Sequence, residues 1–149
     1  MKKLILLLLF IPFVFSCSKE EFGSENESQI EKKLSNKWFV IKLEEYWNDN
    51  LDSVWEAKQV EVNGCRSYWN FNEDYNWTNV TTFVDCSGFD GISDGDWELL
   101  GSNIIKLKSS DPEFNGDYEI VEITESKLTL KSHKICGDGC DQYIWFLEK

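Results

Sequence analysis

From Lys37 onward the chain reads as short segments in which large apolar side chains alternate with polar ones, the period of strands with one buried face. Trp38-Phe39-Val40-Ile41-Lys42-Leu43 is apolar and then alternates, and a turn follows at Asn48-Asp49-Asn50. Further strands are predicted over 54–62, 65–71, 77–84, 96–100, 104–108, 118–124, 127–134 and 142–147, separated by clusters of Gly, Asn, Asp or Ser. Asn63-Gly64 is the best hairpin signal, because both central residues of a type I′ turn take positive φ, and it predicts strands 54–62 and 65–71 as antiparallel neighbours. Ile30 and Leu34, four apart among charged residues, predict one or two helical turns over 28–34. Connections this short make neighbours in sequence neighbours in space. The expected fold is all-β, an antiparallel up-and-down β-barrel of about 8–9 strands with a short N-terminal helix. A barrel is preferred to a sandwich because closure leaves no exposed edge.

Ahead of this pattern stands a different one. Met1-Lys2-Lys3 is basic, residues 4–16 carry no charge and are mostly Leu, Ile, Phe and Val, and Ser18-Lys19-Glu20-Glu21 ends the run. That is the layout of a signal peptide, and it is too short for a permanent span, which needs about 20 apolar residues. Val14-Phe15-Ser16-Cys17 places a small residue just before a cysteine and an aliphatic one three before it. It resembles a bacterial lipobox. The resemblance implies cleavage before Cys17 and acylation of that cysteine, with each buried methylene contributing about 0.8 kcal/mol to membrane attachment. The expected organisation is a lipoprotein signal peptide over 1–16, a flexible acidic tether with lipidated Cys17 over 17–29, and one folded domain over 30–149. Ser18-Lys19-Glu20-Glu21 resembles the acidic export signal of Bacteroidota lipoproteins. It implies an outer-membrane, lipid-anchored protein exposed at the cell surface, the periplasmic face being the alternative.

Charge narrows the partners. The formal net charge is −12, and loss of residues 1–16 removes Lys2 and Lys3 and no acid, which takes it two units further to −14. Such a field repels nucleic acid, so none is expected as a partner, and a monomer is expected. Beyond Cys17 the chain has Cys65, Cys86, Cys136 and Cys140, an even number suited to disulfides in an oxidising compartment. Cys65 opens one predicted strand and Cys86 closes the next, so folding that hairpin brings them together; Cys136-Gly137-Asp138-Gly139-Cys140 is a tight reversal. The expected pairs are Cys65 with Cys86 and Cys136 with Cys140. The rival for the second is a zinc site of His133, Cys136, Cys140 and Asp138 or Asp141, but one cluster with no second Cys or His pair favours the disulfide, and no metal is expected.

No catalytic residue is expected. His133 is the only histidine, no Gly-x-Ser-x-Gly or phosphate loop is present, and the abundant carboxylates need no catalytic explanation in so acidic a domain. Asn48 to Asp52 and the acid-rich 90–96 segment, read as loops, lack the spacing of a calcium-binding EF-hand. Seven Trp, ten Phe and five Tyr are the more useful clue. Trp38, Trp69, Phe71, Trp97, Tyr118 and Trp145 are expected inside the barrel, filling the core or lining a ligand cavity. Trp47, Trp55 and Trp77 lie near loops or on polar-flanked strands and are expected at the surface. Asp52-Ser53-Val54 resembles the acceptor of Bacteroidota O-glycosylation.

Leu34-x-x-x-Trp38, a cysteine ahead of an aromatic strand ending in Phe71, then Cys86, Gly95-Asp96-Trp97 and the late runs 118–124 and 127–130 follow one another in an order that resembles the lipocalin-like domain of small Bacteroidota lipoproteins. The resemblance covers roughly residues 34–147 and implies a membrane-anchored binding protein for a small apolar or amphipathic ligand, with no cofactor. The alternative is a surface module that holds a protein or glycan on an exposed Trp-rich face over a solid core. In two respects the chain departs from lipocalins proper: the first strand has Asn36-Lys37-Trp38 in place of Gly-x-Trp, and no basic residue is evident to cover Trp38 from the far end of the barrel.

Overall fold

Helix α1 (Glu27–Leu34) starts where Asn26 caps it, the side-chain Oδ1 accepting the Gln29 N–H at 3.0 Å. Its Ile30 and Leu34 are buried, so the predicted apolar pair is the face that docks. The computed structural model describes residues 26–57, 66–82, 88–136 and 140–149. The signal segment, Cys17, the first part of the tether, the Asn63-Gly64 turn, Cys65 and Cys86 lie outside the described residues, as do the side chains of Cys136 and Cys140.

The strands are β1 (Lys37–Trp47), β2 (Asn50–Glu56), β3 (Tyr68–Phe71), β4 (Asn76–Thr82), β5 (Phe89–Leu100), β6 (Ile104–Ser109), β7 (Gly116–Ile123), β8 (Lys127–Ser132), β9 (Ile135–Cys136) and β10 (Cys140–Glu148). Strands β3 to β8 form an antiparallel meander, β10 follows β8, and β10 pairs with β1 to close an eight-strand barrel. The expected closed antiparallel barrel with a short helix is what the chain forms.

One pairing differs from expectation. β2 and β3 both run antiparallel to β1 and lie end to end along the same side of it, β3 opposite Lys37–Phe39 and β2 opposite Lys42–Trp47. Ser67 O accepts from Val40 N–H and Ile41 O accepts from Ala57 N–H, so residues 57 and 67 meet β1 at adjacent positions. The described parts of the two predicted neighbours therefore share β1 instead of pairing with each other. The cause is the length of β1, eleven residues, which is enough to hold two short strands in line.

The acid-rich 90–96 segment is also strand, the first half of a twelve-residue β5. Alternation points the small residues Gly91, Ser93 and Gly95 inward and leaves Asp94 and Asp96 exposed outside. A Cβ on Gly95 would stand 1.8 Å from the Lys108 carbonyl oxygen of β6, so β5 and β6 close up here only because the side chain is absent.

α1 sits under the end of the barrel where β1 begins. Trp38 Nε1 donates to Leu34 O at 3.0 Å, which ties helix to strand, and Lys149 Nζ stands 4.7 Å from the Trp38 ring centroid. A basic residue does cover this tryptophan, and it is the last residue of the chain. Above it Phe71, Trp97, Ile105, Leu107, Ile123, Leu128, Leu130 and Leu147 form the buried core.

Candidate ligand site at the barrel mouth

Cross-strand partners share a face, so the register says which side chains enter the barrel. Trp38, Trp69, Asn79 and Ser93 stand opposite one another across β1, β3, β4 and β5, and Phe71, Trp77 and Gly95 form the next row toward the closed end. Trp69 is the hub: its ring centroid lies 5.2 Å from Trp145, 5.6 Å from Trp77, 5.7 Å from Tyr118, 5.8 Å from Phe114 and 6.0 Å from Phe71. Trp97 joins through Phe71 at 5.8 Å. The six aromatics expected inside are thus brought together, and in the lower and middle barrel they pack on one another.

Trp77, expected at the surface, is 1 % exposed. Its polar flanks, Asn76 and Thr78, mislead because in a strand neighbours point to opposite faces; Trp77 itself pairs with inward Phe71. Trp47 and Trp55 are exposed as expected, at 45 % and 44 %.

Toward the open end the lining changes character. Asn79 and Ser93 are buried, Asn79 Oδ1 accepting from Thr81 Oγ1 at 3.3 Å and Ser93 Oγ donating to Asp111 Oδ2 at 3.1 Å. Asp111 also caps the 3-10 turn Pro112–Phe114 through the Glu113 N–H. That double hold fastens the turn over the barrel, where Phe114 lies against Trp69, Trp77 and Trp145. Phe114 is a plug that sequence reading missed, since a lone Phe after Pro in a polar loop carries no periodic signal.

The remaining wall is the layer β2–β1–β10, which extends beyond the short β3. Its inner face carries Leu43, Glu45 and Trp47 from β1, Trp55 and Ser53 from β2, and Tyr143 and Trp145 from β10, because Leu43 pairs with both Trp55 and Trp145 and Glu45 with both Ser53 and Tyr143. Glu45 Oε2 accepts from Ser53 Oγ at 2.9 Å and Oε1 from Tyr143 OH at 3.4 Å. Burial raises the Tyr143 hydroxyl pKa above its ordinary value, and the charges of Glu45, Asp141 and Glu113 act in the same direction. In the core beneath, the fully buried indole N–H groups of Trp69 and Trp77 have no hydrogen-bond partner among the described residues. Leaving a buried donor unpaired costs about 1–3 kcal/mol. Glu45 and Tyr143 were not singled out from sequence, and Ser53 only as part of a resemblance to a glycosylation acceptor, although Leu43-x-Glu45-x-Trp47 and Tyr143-x-Trp145-x-Leu147 show the alternation that puts the glutamate and the tyrosine on one face.

The expected disulfide partners Cys136 and Cys140 stand directly opposite in the β9–β10 register. His133, the rival metal ligand, is exposed just beyond β8.

An eight-strand antiparallel barrel with a helix under one end is the lipocalin-like class of fold. The chain is similar to a solved structure of a lipocalin-like protein from Bacteroides uniformis, with a TM-score of 0.51 and 15 % identity over 78 % of this chain and 98 % of that one. No protein-family model and no curated protein matches the sequence.

Proposed function

We propose that this chain is a lipid-anchored binding protein of the cell envelope that takes a small amphipathic molecule at the barrel mouth. The observation that carries the reading is the composition of the inner face of β2–β1–β10, where Leu43, Trp47, Trp55 and Trp145 alternate with nothing but small or polar groups above a filled floor. Large aromatic side chains left half open on a concave face, with hydrogen-bonding groups beside them, fit a ligand with an apolar body and a polar end. Because the lower barrel is occupied by its own side chains, the ligand sits at the rim with Phe114 beneath it.

Binding without catalysis is our reading because His133, the only histidine of the sequence, is exposed just beyond β8. The anchor reading rests on the residues 14–17 and the apolar run before them, and the same charge balance that disfavours nucleic acid favours a monomer at the surface.

The neutral fluorophore N-phenyl-1-naphthylamine tests the mouth. We expect saturable enhancement at one site, weakened about tenfold by Trp55→Ala and unchanged by Leu51→Ser or Val54→Ser on the outer face of the same hairpin. No saturable response sinks the ligand reading. Labelling cells with radioactive palmitate, with and without Cys17→Ala, tests the anchor separately, and label that persists in the variant refutes it.

A second reading is favoured by the outer face of the hairpin, where Leu51 and Val54 are 53 % and 46 % exposed. Apolar groups on both faces suit a module that docks a protein or glycan. Loss of N-phenyl-1-naphthylamine binding in the outer-face variants, with Trp55→Ala unaffected, would favour it.

A further inference from the structure

We propose that the mouth selects an organic cation, seating an ammonium group against Glu45 among the rings of Trp47, Trp55, Tyr143 and Trp145. The inference rests on the reading of the mouth as a ligand site and adds the charge of what enters.

Glu45 is a half-buried carboxylate whose two hydrogen bonds come from neutral donors, Ser53 and Tyr143. Among the described residues no cation pairs with it. The lysine nearest in sequence, Lys42, points to the outer face, where it pairs with Glu44, and Lys134 and Arg66 are held by Asp49 and Glu148. A carboxylate taken partly out of water with no counter-charge costs free energy that a bound cation would return.

The surroundings add to that field. Asp141 stands opposite Trp47 on the same inner face, and Glu113 projects from the turn that carries Phe114. With Glu45, both carboxylates raise the Tyr143 hydroxyl pKa, so the field at this part of the rim is negative. Ring faces carry negative quadrupole charge, so beyond the apolar contact they offer any ligand the aromatic side chains attract a cation and disfavour an anion.

Calorimetric titration of the full chain with three probes of similar size, benzyltrimethylammonium, phenylacetate and benzyl alcohol, separates the possibilities. We expect the ammonium to bind at least about tenfold tighter than either of the others. Glu45→Gln should bring it down to the affinity of the alcohol, and Glu44→Gln, on the outer face, should leave the preference in place. Circular dichroism of both variants guards against a folding defect, and Ser53→Ala, which frees a carboxylate oxygen without removing charge, should keep the preference if Glu45→Gln fails to fold. Equal binding of the three probes, or a preference that survives Glu45→Gln, overturns the cation proposal while leaving the mouth as a ligand site. Absence of binding by all three, together with a null N-phenyl-1-naphthylamine titration, overturns both.

Discussion

Lys149 Nζ stands 4.7 Å from the centre of the Trp38 ring, so the final residue of the chain covers the first buried aromatic of the barrel. The same indole donates to Leu34 O, and Lys149 N–H donates to Ser126 O, which ties helix α1, strand β1 and the β7–β8 turn around one side chain. A cation over an indole is worth about 0.5–1 kcal/mol where the cation remains exposed. Lys149→Ala should therefore lower stability by about that amount in urea denaturation, and Lys149→Arg should not. In a Trp38→Phe background the Lys149→Ala cost should shrink, because a phenyl face holds a cation less well; equal costs in both backgrounds would show that the contact contributes nothing.

Two glycines on one strand should behave in opposite ways. Gly95→Ala puts a Cβ 1.8 Å from a backbone oxygen of β6, which only a shift of paired strands can relieve, and a loss of about 3 kcal/mol or failure to fold is expected. Gly91→Ala meets nothing within 4 Å and should change stability by no more than about 0.5 kcal/mol. Thermal melts of the two variants decide the matter.

Buried tryptophans differ in what their N–H groups do. Trp38 has an acceptor at 3.0 Å and Trp69 has none among the described residues, although both are 0 % exposed. Changing each to Phe removes similar volume, but only Trp38→Phe orphans a partner. It should cost about 1 kcal/mol more than Trp69→Phe. Similar costs would mean that the Trp69 donor is paired in solution, for instance by a buried water.

Alkaline pH should expose the buried hydroxyls. Burial pushes Tyr118 far above the usual tyrosine range, burial and nearby carboxylates raise Tyr143, and its hydrogen bond to Glu44 raises Tyr46. Since the folded state holds these protons more tightly, their contribution to stability is complete below about pH 10, the unfolded value, and is lost as pH rises through the folded values. Ultraviolet difference titration should show a late step, coincident with unfolding, that Tyr118→Phe removes. A titration that finishes before any loss of structure would contradict this account.

Alternation was enough to locate most strands, because each buries one face and residues such as Tyr118, Ile120, Leu128, Leu130 and Leu147 fall on it at the expected spacing. It failed at Trp77, where exposure was inferred from sequence neighbours that in a strand point the other way, and in the 90–96 segment, where acidic residues on an outer face were read as a loop. Neither Lys149 nor Phe114 carries a periodic signal. Their roles depend on contacts across the chain, with Trp38 in one case and with Trp69, Trp77 and Trp145 in the other.

What the sequence by itself determined is the class of fold, the helix before it and six of the aromatics inside the barrel, all of which follow from local period and side-chain size. Only the tertiary structure decided that β1 carries two strands in line, that its extension leaves Trp47 and Trp55 open beside Glu45, and that two core indole donors have no acceptor among the described residues. These are relations between strands brought together by closure of the barrel, and a one-dimensional pattern records which face a residue takes but not what stands opposite it.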